Sequence, residues 1–297
     1  MRNTPVKTFF ITGVSSGFGR ALSQAALDAG HRVIGTVRSA EDASAFEGMH
    51  PGLAIARQLD VTDHASVERV ALEVEKTIAP VDVVVNNAGY GHEGILEESP
   101  LEDMRRQFEV NVFGAVAVIK AFLPFMRARR NGRILNITSM GGFITMPGIA
   151  YYCGSKFALE GISEALGKEV AALGIDVTAV APGSFRTDWA GRSMVRAPRN
   201  IGDYDDLFDP VRARRQSVSG KQLGDPIKAA AVMLQIATAT EKPPTHLLLG
   251  SDSLELVRGK LNAMQDELDR WEAVIRSTDL RPQGGHVDVS AVRETKS

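Results

Sequence analysis

Tyr152 and Lys156 are the two residues whose types and spacing point most directly to chemistry. They stand four positions apart at the start of a predicted helix, so their side chains share one helix face. A lysine ammonium near a phenol lowers the tyrosine pKa from its ordinary value of about 10, which lets a tyrosine exchange protons near neutral pH. Tyr151 lacks such a partner, because its fourth successor is Ser155. The alternative is a surface tyrosine and lysine on an amphipathic helix.

A glycine-rich turn near the start of the chain could bind a phosphate. Residues 12–19 read TGVSSGFG and lie between a predicted strand and a predicted helix. Glycines let the backbone turn sharply and approach a pyrophosphate, whose charge the amino terminus of a helix stabilises. The spacing differs from the G-x-G-x-x-G fingerprint, and no Lys-Ser or Lys-Thr follows as in a Walker A loop. An ordinary glycine turn is the alternative interpretation.

Short apolar segments alternate with helical patterns through most of the chain. The predicted strands cover residues 7–11, 32–37, 53–59, 81–85, 133–137, 176–180 and 246–249. The clearest predicted helices cover residues 17–29, 64–78, 101–130 and 151–173. Strands that lack apolar/polar alternation and are separated by helices indicate a parallel sheet covered on both faces. The expected fold class is α/β, a Rossmann-like doubly wound parallel sheet with right-handed crossovers.

We expect a single domain over residues 1–250 with a C-terminal helical extension. Residues 186–224 are rich in Arg, Asp, Ser and Gly and are interpreted as an irregular substrate-loop insertion over the site. Residues 251–280 predict an amphipathic helix, with Asp252 and Glu255 at capping-box spacing. Its apolar stripe either packs on the body of the subunit or mediates self-association. The stripe consists of Leu254, Val257, Leu261, Met264, Leu268, Trp271 and Ile275. Residues 281–297 are polar and predict a flexible tail.

The composition is that of an ordinary soluble globular protein. Of the 297 residues, 44% are hydrophobic and 24% are charged, with a formal net charge of -2. This balance favours neither nucleic acid nor an anionic membrane as a partner. The single cysteine, Cys153, excludes an internal disulfide and suits a reducing compartment. We expect no secretory signal, no apolar run long enough to span a bilayer, no metal site and a cytoplasmic location.

The glycine turn resembles the TGxxxGxG signature of the classical short-chain dehydrogenase/reductase family. Further motifs match that family in the same order along the chain. They are Asn86-Asn87-Ala88-Gly89 as NNAG, Asn111 in NVFG, Ser139 after RILNIT, Tyr152 and Lys156 as YxxxK, and Pro182-Gly183 with Thr187 after DVTAVA. The resemblance covers residues 7 to about 190, and the last predicted strand extends it to about 250. Several motifs in the right order are far more specific than any one of them.

The resemblance implies hydride transfer between a nicotinamide cofactor and an alcohol or carbonyl group. Tyr152 would exchange a proton with the substrate oxygen, and Lys156 would lower its pKa and hydrogen-bond the nicotinamide ribose. Ser139 would orient the substrate oxygen, and Asn111 would support a proton relay through water to Lys156. Without the resemblance, Ser139 would be interpreted as a turn hydroxyl and Asn111 as an amide that packs within a helix. The expected cofactor-binding residues are Gly13, Ser15, Ser16, Gly17, Phe18, Gly19, Arg38, Asp60, Asn87, Ala88, Gly89, Tyr152, Lys156, Pro182, Gly183 and Thr187.

The end of the second predicted strand indicates which cofactor is preferred. Val37 stands where the resemblance places an acidic residue in NAD-preferring relatives, and Val37 cannot accept hydrogen bonds from a ribose. Arg38 follows, and a guanidinium suits the extra phosphate of NADP by charge and geometry. NADP(H) is therefore expected over NAD(H), with a solvated surface arginine as the alternative. Asp60 resembles the residue that contacts the adenine ring in this family. The alternative is a carboxylate that stabilises a turn or caps a helix.

The substrate is a small molecule that the sequence specifies only in part. The Met, His and aromatic residues expected to line an apolar pocket are His92, Phe143, Met146, Tyr151, Phe185 and Trp189. The chain resembles the retinol- and hydroxysteroid-dehydrogenase-like branch of the family. Specificity in this fold lies in variable loops, so the resemblance names no particular substrate.

Two other functions share parts of the same pattern. A sugar-nucleotide epimerase or dehydratase shares the tyrosine and lysine, but the TGxxxGxG spacing and the small C-terminal part argue against it. A non-catalytic NADP-binding sensor would share the fold, although all the catalytic positions are retained here. The resemblance further implies a homodimer or homotetramer, commonly formed through the helices at about 101–130 and 151–173.

Overall fold

A seven-stranded parallel sheet organises most of the chain. The computed structural model describes residues 5–187, 189, 191–218 and 220–280, and contacts divide the chain into two units, Met1–Val257 and Arg258–Ser297. The strands are β1 (Thr8–Ile11), β2 (Arg32–Val37), β3 (Ala54–Gln58), β4 (Val83–Asn86), β5 (Gly91–Glu93), β6 (Gly132–Ile137), β7 (Ile175–Pro182), β8 (Met194–Arg196) and β9 (His246–Leu249).

The large sheet has the order β3-β2-β1-β4-β6-β7-β9, and every neighbouring pair is parallel. The order reverses between β1 and β4, which is the switch point where a doubly wound sheet opens a crevice. Consecutive residues Phe9 and Phe10 lie in different core clusters, because strand side chains alternate between the two covered faces. Both faces need apolar residues, which explains the unbroken apolar strands and confirms the predicted fold class.

Helices cover both faces of this sheet. They are α1 (Gly17–Asp28), α2 (Ala40–Glu47), α3 (His64–Glu73), α4 (Leu101–Phe108), α5 (Ala115–Arg129), α6 (Ala150–Val170), α7 (Asp205–Ser217), α8 (Pro226–Thr238) and α9 (Ser251–Arg276). The helix predicted over 101–130 is two helices, because a π-helical turn at Glu109–Gly114 separates α4 from α5. A similar turn, Val74–Ile78, ends the helix predicted over 64–78.

The run Leu101–Arg129 contradicts the expectation that no apolar run is long enough to span a bilayer. By length and composition alone it could cross a membrane, with a mean hydropathy of 1.6 over its most apolar window. Such a test is also passed by the core helix of a soluble protein. Here Val118, Phe122 and Met126 on α5 are fully buried in the core cluster that covers one sheet face. The apolar composition is therefore accounted for by packing against the sheet.

The segment 186–224 is more ordered than the sequence predicts. It contains β8, which pairs in parallel with β5 as a small second sheet. It also contains α7, which begins with two acidic residues and ends with two arginines, an arrangement that suits the helix dipole. Its high polarity hides α7 from a search for apolar periodicity, since Phe208 is its one buried residue among those described.

The predicted C-terminal helix is α9, but its start differs from the prediction. Asp252 and Glu255 form no capping box, because α9 already begins at Ser251. The Asp252 carboxylate instead accepts hydrogen bonds from the backbone N–H of Ser184 at 2.8 Å and of Ser253 at 2.9 Å. Within the second unit the stripe residues are 46–55% exposed, and they are Leu261, Met264, Leu268, Trp271 and Ile275. The predicted tail, 281–297, lies outside the described residues.

Candidate functional site

A cleft of about 690 Å³ opens at the carboxyl edge of the large sheet, in the first unit. Loops after β1, β2, β3 and β4 form one wall, which we call the glycine-turn side. Residues of the segment 186–224, together with Met146 and Ile149, form another part of the lining, which we call the insertion side. The predicted site residues on the cleft wall are Gly13, Ser15, Ser16, Gly17, Phe18, Arg38, Asp60, Asn87, Ala88, Gly89, Ser139, Tyr152, Lys156, Pro182, Gly183 and Thr187. Two others, Gly19 and Asn111, lie behind it.

The turn before α1 lies on the cleft wall and leads into a helix start without a side-chain cap. Gly13 and Gly17 have φ of 71° and 57°, a left-handed conformation that favours glycine. Ser16 is the N-cap of α1, but its side chain caps no backbone N–H, and the first turn carries no acidic residue. A helix start without a side-chain cap or an acid is suited to bind an anion.

Gly19 does not line the cleft, but it lets the turn close. A Cβ at this position would lie 2.2 Å from the Gly13 carbonyl oxygen and 2.5 Å from Asn87 Nδ2. The side-chain amide of Asn87 donates to the carbonyl oxygens of Thr12 at 2.9 Å and Gly13 at 2.8 Å. Thr12 Oγ1 in turn accepts the backbone N–H of Asn87 at 3.0 Å and of Ala88 at 2.9 Å. These bonds tie the glycine turn to the NNAG motif.

Arg38 and Asp60 are exposed side chains at the ends of β2 and β3, on the glycine-turn side. Arg38 forms no ion pair with any described residue, so its guanidinium is open to a ligand. Asp60 Oδ1 accepts the backbone N–H and the hydroxyl of Thr62, at 3.0 and 2.8 Å. Asp60 is therefore a turn carboxylate that also lines the cleft. Asp42 also lines this wall, a residue that the sequence interpretation missed.

Ser139, Tyr152 and Lys156 meet where the two sides of the cleft join. Ser139 follows β6, and its hydroxyl accepts the Gly141 N–H at 3.0 Å. Lys156 Nζ lies 5.7 Å from the centre of the Tyr152 ring and donates to the Ile137 carbonyl oxygen at 2.8 Å. Tyr152 and Lys156 are each 6% exposed, so both functional groups reach the cleft from a buried position.

The ionisation of this pair differs from the expectation. Burial raises the pKa of Tyr152 above its ordinary value, and a hydrogen bond with Ser139 acts in the opposite direction. Burial also lowers the pKa of Lys156 to about 8, against the opposing charge of Glu160. Loss of solvent therefore sets the direction of the pKa shift in both groups.

Asn111 lies in the π-helical turn and is fully buried behind Gly89. Its Nδ2 donates to the Tyr90 carbonyl oxygen and to Ser155 Oγ, both at 3.1 Å, and its Oδ1 accepts the Tyr90 N–H at 3.1 Å. A Cβ at Gly89 would lie 3.0 Å from Asn111 Oδ1 and 3.7 Å from Lys156 Nζ. Gly89 therefore keeps the space between these two groups open.

The residues after β7 close the cleft against the start of α1. A Cβ at Gly183 would lie 2.2 Å from Asp252 Oδ1, so a larger residue would displace the Asp252 side chain. Thr187 lies opposite the amino terminus of α1, with its methyl group 3.9 Å from the Cβ position of Gly17. Pro182 is the last residue of β7 and places both on the cleft wall.

The predicted apolar residues divide into two groups. Met146, Phe185 and Trp189 line the cleft, and the Trp189 ring lies 5.0 Å from that of Tyr152. His92, Phe143 and Tyr151 do not. His92 Nε2 lies 3.2 Å from Asp103 Oδ2, and the Tyr151 hydroxyl donates to the Ser99 carbonyl oxygen at 2.8 Å. The Phe143 ring packs against His246 at 5.5 Å.

The insertion side also holds residues that the sequence interpretation did not find. They are Arg192, Ser193, Val195, Arg215, Val218 and Gln222. No motif marks them, because isolated arginines and glutamines in a polar segment are typical of a solvated surface. A single observation could have pointed to them, namely the acidic start and basic end of α7, which predict a helix within the insertion.

Known proteins are similar to this chain along most of their length. A family model described as short chain dehydrogenase matches residues 7–195. Oxidoreductase BOA17 of Botryotinia fuckeliana is 35% identical over 268 residues, with 89% of this chain and 96% of the relative covered. The NADPH-dependent 3-dehydrocapnine reductase of Ornithobacterium rhinotracheale is 31% identical over 251 residues, with 82% and 88% covered.

Solved structures give the same result for the fold. A short-chain dehydrogenase from Streptomyces avermitilis superposes with a TM-score of 0.86 at 41% identity, covering 94% of this chain and all of that one. ElxO with NADP bound superposes with a TM-score of 0.71 at 25% identity, covering 84% and 100%. The glycine turn, the NNAG motif and the Ser-Tyr-Lys group are all present in one cleft, and the chain belongs to the short-chain dehydrogenase family of oxidoreductases.

Proposed function

We propose that this dehydrogenase/reductase is NADP(H)-dependent and interconverts an alcohol and a carbonyl group on a small substrate with an apolar body. The observation that supports this best is the meeting of Ser139, Tyr152 and Lys156 between the two sides of the cleft. Family membership makes the chain an oxidoreductase. The tyrosine mechanism, the substrate type and the preference for NADP(H) are the parts proposed here.

The glycine-turn side fits a dinucleotide. The uncapped start of α1 would receive the pyrophosphate, and Asp60 Oδ2 the adenine. Arg38 would hold the ribose phosphate, since its charge is unpaired among the described residues. When bound, the cofactor supplies the hydride in reduction and accepts it in oxidation. The NADP bound to ElxO and the NADPH dependence of the 3-dehydrocapnine reductase support NADP(H) as the cofactor.

Tyr152 is proposed as the general acid and base. In reduction its hydroxyl donates a proton to the carbonyl oxygen, and in oxidation its phenolate accepts the proton of the alcohol. Ser139 would hydrogen-bond the same substrate oxygen and orient it. Lys156 would stabilise the tyrosine anion and hydrogen-bond the nicotinamide ribose. Asn111 would supply the far end of a water relay through the space beside Gly89.

The substrate body would lie against Met146, Ile149 and Trp189 on the insertion side. These side chains offer an apolar surface next to the acid–base group. A retinoid- or steroid-like substrate, which the sequence resemblance implies, also stays a prediction. A sugar-nucleotide epimerase and a non-catalytic sensor are the alternative functions, and both would fail to turn over a simple ketone.

The experiment that tests this function follows NADPH oxidation by absorbance with a panel of ketones and aldehydes. We expect turnover with apolar ketones and a higher kcat/KM for NADPH than for NADH. Equal or better use of NADH would overturn the cofactor preference alone. Calorimetric binding of NADPH without turnover of any carbonyl compound would instead favour the sensor.

We also propose that the protein forms a homodimer or homotetramer. The exposed apolar stripe on α9 offers one surface for self-association, and the helices α4 to α6 offer another by resemblance to the family. Light scattering of the full chain and of the Leu268→Glu variant would separate these surfaces. An unchanged mass for the variant would exclude a required role for the stripe.

A further inference from the structure

The buried carboxylate of Glu93 on β5 lies next to three arginines of the segment 186–224. Glu93 is fully buried, and its Oε1 accepts from Arg212 Nε at 2.8 Å while its Oε2 accepts from Arg215 Nη1 at 2.9 Å. Arg196 Nε lies 3.4 Å from the same Oε1. Burial alone would raise the pKa of Glu93, but the arginines outweigh it and hold the carboxyl below its usual range. Glu93 is therefore ionised at neutral pH.

One carboxylate cannot neutralise both Arg212 and Arg215. Arg212 and Arg215 contact no second carboxylate among the described residues, so the pair alone keeps an excess positive charge. Their side chains are 19% and 12% exposed, which leaves that charge poorly solvated. A partly desolvated excess charge attracts an anion more strongly than a surface lysine does.

Arg215 is the member of this pair that reaches the cleft. It lines the insertion side, whereas Arg212 does not line the cleft. Arg215 uses Nη1 for Glu93 and Nη2 for the Pro147 carbonyl oxygen at 3.2 Å. A guanidinium has five N–H donors, so the other donors of Arg215 remain for a ligand.

The position of Arg215 relates it to the substrate and not to the cofactor phosphate. Pro147 follows Met146 on the insertion side, and the Arg215 charge acts on Cys153, the residue next to Tyr152. Arg38, the residue proposed for the ribose phosphate, lies on the glycine-turn side. An anion held by Arg215 would therefore extend from a substrate whose carbonyl group lies at Tyr152.

We infer that the substrate carries an anionic group, a carboxylate, sulfonate or phosphate, and that Arg215 binds it. This inference rests on the proposed function, because it assumes that a carbonyl group lies at Tyr152. Val218 and Gln222 would flank the anion, since both line the same wall. Glu93 serves as a positioning residue, because its ion pair with Arg215 fixes the guanidinium on the cleft wall.

The test compares pairs of substrates that differ only in charge. Aliphatic oxo acids, oxo sulfonates and oxo phosphonates are assayed beside their uncharged esters with NADPH, in the wild type and in Arg215→Met, Arg215→Lys and Arg212→Met. We expect the wild type to prefer the charged member of at least one pair. Arg215→Met should lower the ratio of kcat/KM for acid over ester by about 10- to 100-fold, the range for a hydrogen bond to a charged group.

The matched variants separate binding from folding. Arg212→Met removes the other ion pair of Glu93, and with it the excess charge, but it should lower the acid-to-ester ratio less than Arg215→Met does, because Arg212 does not line the cleft. Arg215→Lys keeps the charge without the planar fork and should retain part of the preference. A wild type that treats acid and ester alike, or a ratio that falls equally in Arg212→Met, overturns the inference.

Binding provides a readout that does not depend on turnover. Calorimetry of each acid and ester with the NADP-loaded chain should show tighter binding of the acid, lost in Arg215→Met. Turnover of esters without any preference for acids would reject the anion site and leave the proposed function intact. Tighter binding of acids without turnover of any pair would reject the proposed function and leave the anion site intact.

Discussion

The glycine-turn side of the cleft is built largely from backbone at the ends of four neighbouring strands, whereas the insertion side is built largely from side chains of one long segment. On the first side, Gly13, Gly17 and Gly19 are required by backbone conformation or close approach. On the second side, Trp189 and Arg215 lie in place through contacts with residues distant in sequence, such as Tyr152 and Glu93. Backbone groups can bind the parts that all dinucleotides share, whereas the side chains of a loop segment can be substituted without disturbing the fold.

Charge also differs between the two sides. Arg38 is an exposed cation without an ion pair among the described residues, at the end of a strand. Arg215 is held by a buried carboxylate, so its position is fixed before a ligand arrives. A free arginine loses side-chain entropy on binding, whereas a fixed one has already lost it in folding. Arg215 is therefore better preorganised for a ligand than Arg38 is.

The largest expected effect falls at the junction of the two sides. Tyr152→Phe should lower kcat by about 10²- to 10⁴-fold, the usual contribution of general acid–base catalysis, and should retain NADPH binding. The control is Tyr151→Phe, which removes a hydroxyl bonded to Ser99 outside the cleft. That variant should lose about 0.5–1.5 kcal/mol of stability and keep its turnover. Near-normal turnover in Tyr152→Phe would contradict the mechanism.

A second change should damage the glycine-turn side alone. In Gly19→Ala the new methyl group meets the Gly13 carbonyl oxygen, so the turn must move at a cost of about 1–3 kcal/mol. We expect weaker NADPH binding by calorimetry and a lower melting temperature. Gly161→Ala on α6 is the control, because its Cβ meets no atom within 4 Å and should stabilise the helix by about 0.5–1 kcal/mol. Unchanged NADPH affinity in Gly19→Ala would show that the turn tolerates a shift.

A third change alters the charge of the glycine-turn side and leaves its backbone in place. Arg38→Asp should lower the ratio of kcat/KM for NADPH over NADH by about 10- to 100-fold, since a charged hydrogen bond is replaced by repulsion. Arg32→Asp places the same charge change at the opposite end of β2 and should leave the ratio alone. If Arg32→Asp changes the ratio as much as Arg38→Asp does, the change reflects the overall charge of the protein and not a contact between Arg38 and the ribose phosphate.

The smallest effect concerns pH. The pKa of Lys156 is about 8, below its ordinary value, so the ammonium is lost as pH rises through about 8. Glu160→Gln removes the charge that raises this pKa, so the alkaline limb of kcat/KM with NADPH varied should move to lower pH. Glu164→Gln, which removes a carboxylate paired with exposed Lys168, is the control. A shift to higher pH in Glu160→Gln would exclude Lys156 as the titrating group.

Much of the glycine-turn side could be predicted from the sequence. The turn, the NNAG motif and the strands before them are local patterns, in which residue type and spacing determine the backbone. All predicted residues of this wall except Gly19 line the cleft, and Gly19 lies directly behind it. The breaks at Glu109–Gly114 and Val74–Ile78 could not be predicted, because a π-helical turn is defined by its i→i+5 hydrogen bonds and no residue type marks it in the sequence.

The sequence by itself determined the fold class, the order of the motifs and the pairing of Tyr152 with Lys156 on one helix face. Only the tertiary structure decided which apolar residues reach the cleft, how burial changes the pKa of both groups, and that Arg215 faces the same space. Arg215 and Glu93 stand 122 residues apart, and no periodicity connects them. Short-range spacing determines local backbone, whereas desolvation and long-range ion pairs exist only after the chain has folded.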